Sequence, residues 1–414
     1  MDIDLDNPSD NFPTQAEWSQ IKLCVETERF GPFLFQTGLD PHELALPLQR
    51  VQDAQERFRR SRLAEVAVDL EREVLASSIF GTNTIEGGEL SEEETAAAMD
   101  LSPDEIETIE QQRARNMRSA YDFAREYSQD QDWTLSTEYI REIHRLVCHQ
   151  LPHEHNRPGL LRDNPKGQVT WVGNAEHGGV YKPPQHGRDV SMLLDALCKW
   201  HHQLEQAGCP APVRAPLVHL YFELIHPFWD GNGRVGRALE ASILLNSGFR
   251  YAPFAMARFY LQHIHRYFAL FNHCRKAAEK DRPQPNQDFV SFHLDGLLEV
   301  INTLHDRVNE MVAHLLFLHQ VRQALDDKRI NQRQYAIVDF VLKAGRPLAL
   351  GKLREETWYR ALYEKLTDKT RRRDLDRLRK HKLVQLDKDN RLWPGHIQIE
   401  QNTIRKSPNR ANQR

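Results

Sequence analysis

Twelve residues, HPFWDGNGRVGR from His226 to Arg237, place a proline and three glycines inside an apolar, helix-patterned stretch. Ahead of them, APLVHLYFELI reads as a buried helix that Pro227 ends. Behind them a second helix opens at Arg234 and runs to Leu245. The chain must therefore fold here as helix, turn, helix, with little steric cover over the DGNG backbone. Such a turn exposes N–H donors and the positive end of a helix dipole, which suits an anion such as phosphate. Arg234 and Arg237 lie one helical turn apart and can aim at the same phosphate chain. Asp230 is too close to that anion to be its ligand. A divalent cation between the two resolves the conflict, and Mg²⁺ held by one carboxylate plus phosphates is the usual solution. His226 contributes the side-chain type best suited to proton transfer near neutral pH. Together these residues could bind a Mg-nucleotide and activate a hydroxyl to attack a phosphate. The sequence has no GxxxxGK[ST] and no strand–GxGxxG unit, which sets aside the common nucleotide-binding folds.

The rest of the chain reads as mainly α. Apolar residues recur at helical spacing over 41–80, and Gly87-Gly88 marks a stop. Ser91 and Glu94 form a capping box for the next helix. Helical patterns follow at 104–127, 136–149, 190–202, 215–224, 258–279 and 288–325. Between them, QVTWVGNAEHGGVYKPP (168–184) has two short β-prone runs around a Gly- and Asn-containing turn, and reads as a β-hairpin. A second unit over 333–397 has apolar helical runs at 334–342 and 358–366. It then has the basic stretch TDKTRRRDLDRLRKHKLV and a hairpin turning at Asp389-Asn390. Nine Lys/Arg stand against three Asp between Lys365 and Lys382. Residues 398–414 are polar and are expected to be disordered.

HPFWDGNGRVGR matches every fixed position of the motif HxFx[DE]GNGRxxR, and from about Ser77 to Ala278 the chain resembles the Fic family. The resemblance implies a helical bundle with a β-hairpin flap that transfers AMP from ATP to a Ser, Thr or Tyr hydroxyl of a protein, releasing pyrophosphate. It implies that His226 is the base and that Asp230 holds Mg²⁺. Gly231, Asn232 and Gly233 would form the anion hole, followed by Arg234, Val235, Gly236 and Arg237, with both arginines on the outer phosphates. The flap would bring Val180, Tyr181 and Lys182 nearest the nucleotide. In RYFALFNHCRKA, Tyr267 is expected beside the base, with Asn272 and Arg275 as further candidates.

TNTIEG, Thr82 to Gly87, resembles the family's inhibitory motif [ST]xxxE[GN]. The implied role of Glu86 is an ion pair with Arg237 that keeps this arginine from the γ-phosphate. In relatives the corresponding glutamate also positions a water that removes AMP, so transfer and removal both stay open. The region 333–397 resembles a winged helix whose basic stripe, Arg371, Arg372, Arg373 and Arg377, could meet DNA phosphates or could serve protein docking. The expected organisation is an N-terminal helical region with the inhibitory motif (1–100), a Fic catalytic domain (101–325), the winged-helix-like domain and the tail.

Expected partners are ATP, a protein bearing the acceptor hydroxyl, a second copy as substrate or dimer mate, and DNA. A DNA-binding regulator with a nucleotide-sensing Fic unit is the alternative from another class. Over 414 residues the net charge is −4, so a basic surface must be local. Five scattered cysteines without a CxxC pair argue against a disulfide framework and a zinc site, and fit a reducing compartment. MDIDLDNPSD lacks an apolar core for a signal peptide, and no run of 18 apolar residues occurs. The expectation is a cytoplasmic chain away from membranes.

Overall fold

A computed structural model describes residues 17–130, 133–152 and 157–397. The acidic N-terminal run and the 398–414 tail lie outside them. Two compact units divide the chain, Met1–Asp306 and Arg307–Arg414. The division falls inside a helix that runs from Gln287 to Asp326.

The first unit opens with a hairpin, β1 (Lys22–Glu26) and β2 (Pro32–Gln36). Helices follow: α1 (Pro41–Arg59), α2 (Ala67–Ile85), α3 (Glu92–Ala98), α4 (Ile109–Ser128) and α5 (Thr137–Val147). A second hairpin, β3 (Val172–Asn174) and β4 (Gly179–Tyr181), precedes α6 (Gly187–Gln206), α7 (Ala211–Ile225), α8 (Asn232–Asn246), α9 (Ala252–Gln262) and α10 (Ile264–Glu279). The long helix Gln287–Asp326 is α11. No helix among the described residues is long and apolar enough to cross a membrane.

Helix α7 is apolar on nearly every side and is buried along most of its length. It packs on α8, and the two form the centre of the unit, with α4, α5, α6 and α9 around them. Gly236 makes their contact close: a Cβ there would stand 2.7 Å from His219 Cδ2. Helix α2 lies along α9 in the same way, since a Cβ on Gly81 would touch the Ala257 carbonyl at 3.0 Å. Ser78 fixes the register. Its hydroxyl donates to the Phe254 carbonyl at 2.5 Å, and its oxygen accepts from Tyr121 Oη at 3.1 Å. This packing carries the end of α2, and with it TNTIEG, to the start of α8.

The helical pattern at 41–80 is two helices, because Arg60–Val66 leaves the α-helical path. The pattern at 258–279 likewise spans α9 and α10, which meet at His263. The β1–β2 hairpin was not expected. Its turn is held by buried Asp189, which accepts the backbone N–H groups of Glu28, Arg29 and Phe30 at 3.0–3.2 Å.

The second unit continues with α12 (Gln332–Lys343), β5 (Leu348–Ala349), α13 (Leu350–Glu355), α14 (Thr357–Tyr363), α15 (Asp368–Lys380), β6 (Val384–Leu386) and β7 (Arg391–Pro394). The strands form one antiparallel sheet in the order β5-β7-β6. Ile337, Val338, Val341, Leu353, Tyr363, Leu378 and Leu392 fill its core.

Candidate active site

Helix α7 ends at Ile225, and His226 adopts φ 50°, ψ 63°, the left-handed region that a non-glycine residue enters at a cost of about 1–3 kcal/mol. Arg162 holds it there. Its Nε donates to the His226 carbonyl at 2.6 Å and Nη2 to the Ile225 carbonyl at 3.3 Å, while its backbone N–H donates to the Pro227 carbonyl at 2.9 Å. Burial pushes this guanidinium down to about 10, so it stays charged and meets the negative end of α7. Held this way, the His226 ring is partly exposed, with Nδ1 3.5 Å from Glu223 Oε2.

The turn after His226 is locked from inside. Asn232 accepts the Phe228 N–H at 3.0 Å and donates to the Phe228 carbonyl at 2.8 Å. Gly231 has φ 79°, and a Cβ there would lie 2.9 Å from Cys148 Sγ. His144 lies flat on Phe228, with ring centroids 3.7 Å apart. Its Nδ1 accepts the Gly159 N–H at 2.9 Å, so Nε2 carries the proton and donates to the Asp230 carbonyl at 3.1 Å. Burial pushes His144 down to about 4 and keeps it neutral.

At the start of α8, Arg234 donates to Asp230 Oδ2 at 3.1 Å. Its Nε and Nη1 are buried and have no hydrogen-bond partner among the described residues. Buried donors of this kind suit an arriving anion. Arg237 is fully engaged. Nε donates to Thr82 Oγ1 at 2.8 Å, Nη1 to Tyr267 Oη at 3.2 Å, and Nη2 to Glu86 Oε1 at 2.7 Å. The Glu86 side chain is 32% exposed against 3% for Arg237, so the carboxylate stands at the mouth of the site. It also covers Gly233, where a Cβ would overlap Oε1. An acidic group thus occupies the donor-rich end of α8.

Asp230 is partly exposed beside this end. Among the described residues no group of three or more His, Cys, Asp and Glu is gathered as a metal cage. A single carboxylate next to a phosphate site fits Mg²⁺ completed by substrate oxygens.

Tyr267, expected beside the nucleobase, is fully buried beneath Arg237. Its hydroxyl bridges Arg237 and His219 Nε2 at 3.0 Å, and its ring stacks on Tyr260 with centroids 4.5 Å apart. His219 Nδ1 in turn meets Glu240 Oε2 at 2.7 Å, and Tyr260 donates to Glu240 at 2.9 Å. Burial would raise the Glu240 carboxyl, but His293, His219 and Tyr260 outweigh it and hold it below its ordinary range.

The β3–β4 hairpin is tied to α10. Asn272 donates to the Gly179 and His177 carbonyls at 2.6 and 3.2 Å, and Lys276 to the Gly178 carbonyl at 2.6 Å. Arg275 covers the Tyr181 ring at 5.3 Å, and the Tyr181 hydroxyl donates to the Glu223 carbonyl. Val180 and Lys182 point to solvent, and Trp171 on the neighbouring segment is 60% exposed. Val235 is buried in the core.

The structure therefore gathers Glu86, Gly233, Arg234 and Arg237 at one helix end, with Asp230 and His226 on the same turn. Arg162, His144 and Glu223 were not singled out by the sequence. Thr82 was, but only as the first letter of TNTIEG.

Residues 134–244 match the Fic/DOC family. A protein adenylyltransferase Fic of Aedes aegypti is 29% identical over 230 residues, 54% of this chain and 40% of that protein. The Culex quinquefasciatus protein of the same name is 36% identical over 119 residues, 28% of this chain and 21% of that one. The chain thus spans less than half the length of these relatives. A Fic family protein from Desulfovibrio desulfuricans G20 has a similar fold, with a TM-score of 0.53 at 20% identity, covering 86% of this chain and 96% of that one. Over residues 134–244, which hold the His226–Arg237 turn, the chain is similar to the Fic/DOC family.

Proposed function

We propose that this chain is a self-restrained protein adenylyltransferase that moves AMP from ATP to a hydroxyl side chain of a protein. The observation that carries this reading is the site itself. A partly exposed histidine stands on the turn that leads into a helix N-terminus, where Arg234 keeps two buried donors without partners among the described residues. In the reaction, His226 takes the proton of the acceptor hydroxyl. The hydroxyl oxygen bonds to the α-phosphorus as the bond from that phosphorus to the bridging oxygen breaks, and pyrophosphate leaves. Backbone N–H groups at the start of α8 and the Arg234 guanidinium hold the phosphate oxygens. Mg²⁺ on Asp230 would neutralise phosphate charge.

Glu86 restrains this reaction by holding Arg237, the second phosphate-gripping arginine, in an ion pair of 2.7 Å. Removal of AMP is the second reading, and one observation favours it. Among the described residues Glu86 is bonded only through Oε1, which leaves Oε2 to orient a water. Incubation with ATP labelled at the α-phosphate tests the main reading. Labelled protein should form with the intact chain freed of its brake and not with His226→Ala. Equal labelling by His226→Ala contradicts it.

A further inference from the structure

We infer that the second unit binds duplex DNA through the exposed face of α15. Charge is concentrated there. Residues 328–397 hold nineteen Lys/Arg against nine Asp/Glu, in a chain whose net charge is −4. The order of elements, α12, β5, α13 with α14, α15, then the β6–β7 hairpin, is that of a winged helix, with α15 in the place of the recognition helix.

The inward face of α15 is fixed by one buried carboxylate. Asp374 accepts Arg333 Nε, Gln334 Nε2 and Tyr363 Oη, each at 2.7 Å. Leu378 packs beside it in the core. That anchoring sets the rotation of the helix and turns Lys369, Arg372, Arg373 and Lys380 to solvent. At 100° per residue these four fall within one arc of less than half the helix surface. None of the four has an ion-pair partner among the described residues. One acid, Asp376, falls within the same arc and lies 3.8 Å from Arg379, while Asp368 pairs with Arg371 at 3.0 Å, so the arc carries four cations against one carboxylate. A helix of thirteen residues, about 20 Å long, thus presents four cations without ion-pair partners on one face, where they can meet backbone phosphates of a duplex. Regularly spaced negative charge is what this face complements, which favours duplex DNA over a protein surface.

This inference does not rest on AMP transfer, and its test needs no nucleotide. Binding of the full chain to a labelled mixed-sequence duplex is measured by fluorescence anisotropy between about 50 and 200 mM salt. The intact chain should bind at the low end and weaken steeply as salt rises. Arg372→Ala/Arg373→Ala should weaken binding and flatten the plot of log affinity against log salt by about 1.8, at about 0.9 per phosphate contact. Arg59→Ala/Arg60→Ala on α1 makes the same change in net charge and should leave the slope unaltered. Thermal unfolding confirms that both variants fold. Absence of duplex binding at low salt, an unchanged slope in Arg372→Ala/Arg373→Ala, or equal losses in both pairs would overturn the inference.

Discussion

Glu86 Oε1 stands 2.7 Å from Arg237 Nη2 although 151 residues separate them in the chain. Two packing decisions make the meeting: Gly81 lets α2 lie tight on α9, and Ser78 pins its register. The ion pair is buried on the arginine side and open on the glutamate side. Thr82 adds two more acceptors to the same guanidinium, its hydroxyl at 2.8 Å and its carbonyl at 3.3 Å. Restraint in the proposed mechanism therefore belongs to the last turn of α2 as a whole.

Tyr267 should act through Arg237. In a Glu86→Gly background, Tyr267→Phe removes one hydrogen-bond partner of the guanidinium, worth about 0.5–1.5 kcal/mol. The KM for ATP should rise about 2- to 12-fold with kcat less affected. Steady-state kinetics with ATP and GTP check this. A changed preference between the two bases, with unchanged KM for ATP, would place the ring against the base instead.

The flap should depend on Asn272. Its amide holds two backbone carbonyls of the hairpin. Asn272→Ala removes both bonds, and hydrogen exchange at residues 177–181 should speed up about 5- to 30-fold, for a loss of about 1–2 kcal/mol. Labelling of protein targets should fall with it, since a loosened edge orders a target segment less well. Unchanged exchange would mean that Lys276 and the Tyr181 contacts suffice to tie the hairpin down.

Acid should weaken the first unit through His144. Its native pKa is lowered to about 4 by burial, against about 6.5 unfolded. Between these values the unfolded chain binds a proton that the native site refuses, so stability is whole above about pH 6.5 and declines as pH falls toward 4. The full loss for this group is about 3 kcal/mol. Buried His201, lowered to about 3, adds to the same trend. Glutamine can both accept from Gly159 and donate to Asp230. His144→Gln should therefore keep the fold and make the pH dependence of the denaturation midpoint shallower. An unaltered dependence would assign the acid sensitivity elsewhere.

What the sequence revealed, it revealed where chemistry is local. HPFWDGNGRVGR and TNTIEG are short runs whose residue types have few other uses together. Ser91 and Glu94 likewise form the expected capping box. Arg162 was hidden because its work is to cap a helix 63 residues away. His144 needed the stacking on Phe228 and the Gly159 N–H to acquire a role. Tyr267 lies on the expected helix, but spacing alone does not say whether a tyrosine offers its ring to a ligand or its hydroxyl to an arginine. The break at Arg60–Val66 carries no proline or glycine, so periodicity ran through it. The β1 and β2 strands hold only three consecutive apolar residues each, too few to tell a strand from a loop by pattern, and the buried Asp189 that secures their turn comes from α6.

AMP transfer with and without the Glu86 carboxylate tests the central claim most directly. The intact chain, Glu86→Gly and Glu86→Gly/His226→Ala are each incubated with ATP labelled at the α-phosphate, and incorporation into protein is followed over time. If the Glu86–Arg237 pair is worth about 1.5–3 kcal/mol, as charge-assisted hydrogen bonds are, Glu86→Gly should label about 10- to 150-fold faster. Self-labelling should rise in step. The double variant should lose this gain, by about 10²–10⁴ for removal of a general base. Equal labelling by the intact chain and Glu86→Gly across a range of ATP concentrations would contradict the account, and the contact between Glu86 and Arg237 would then be structural only.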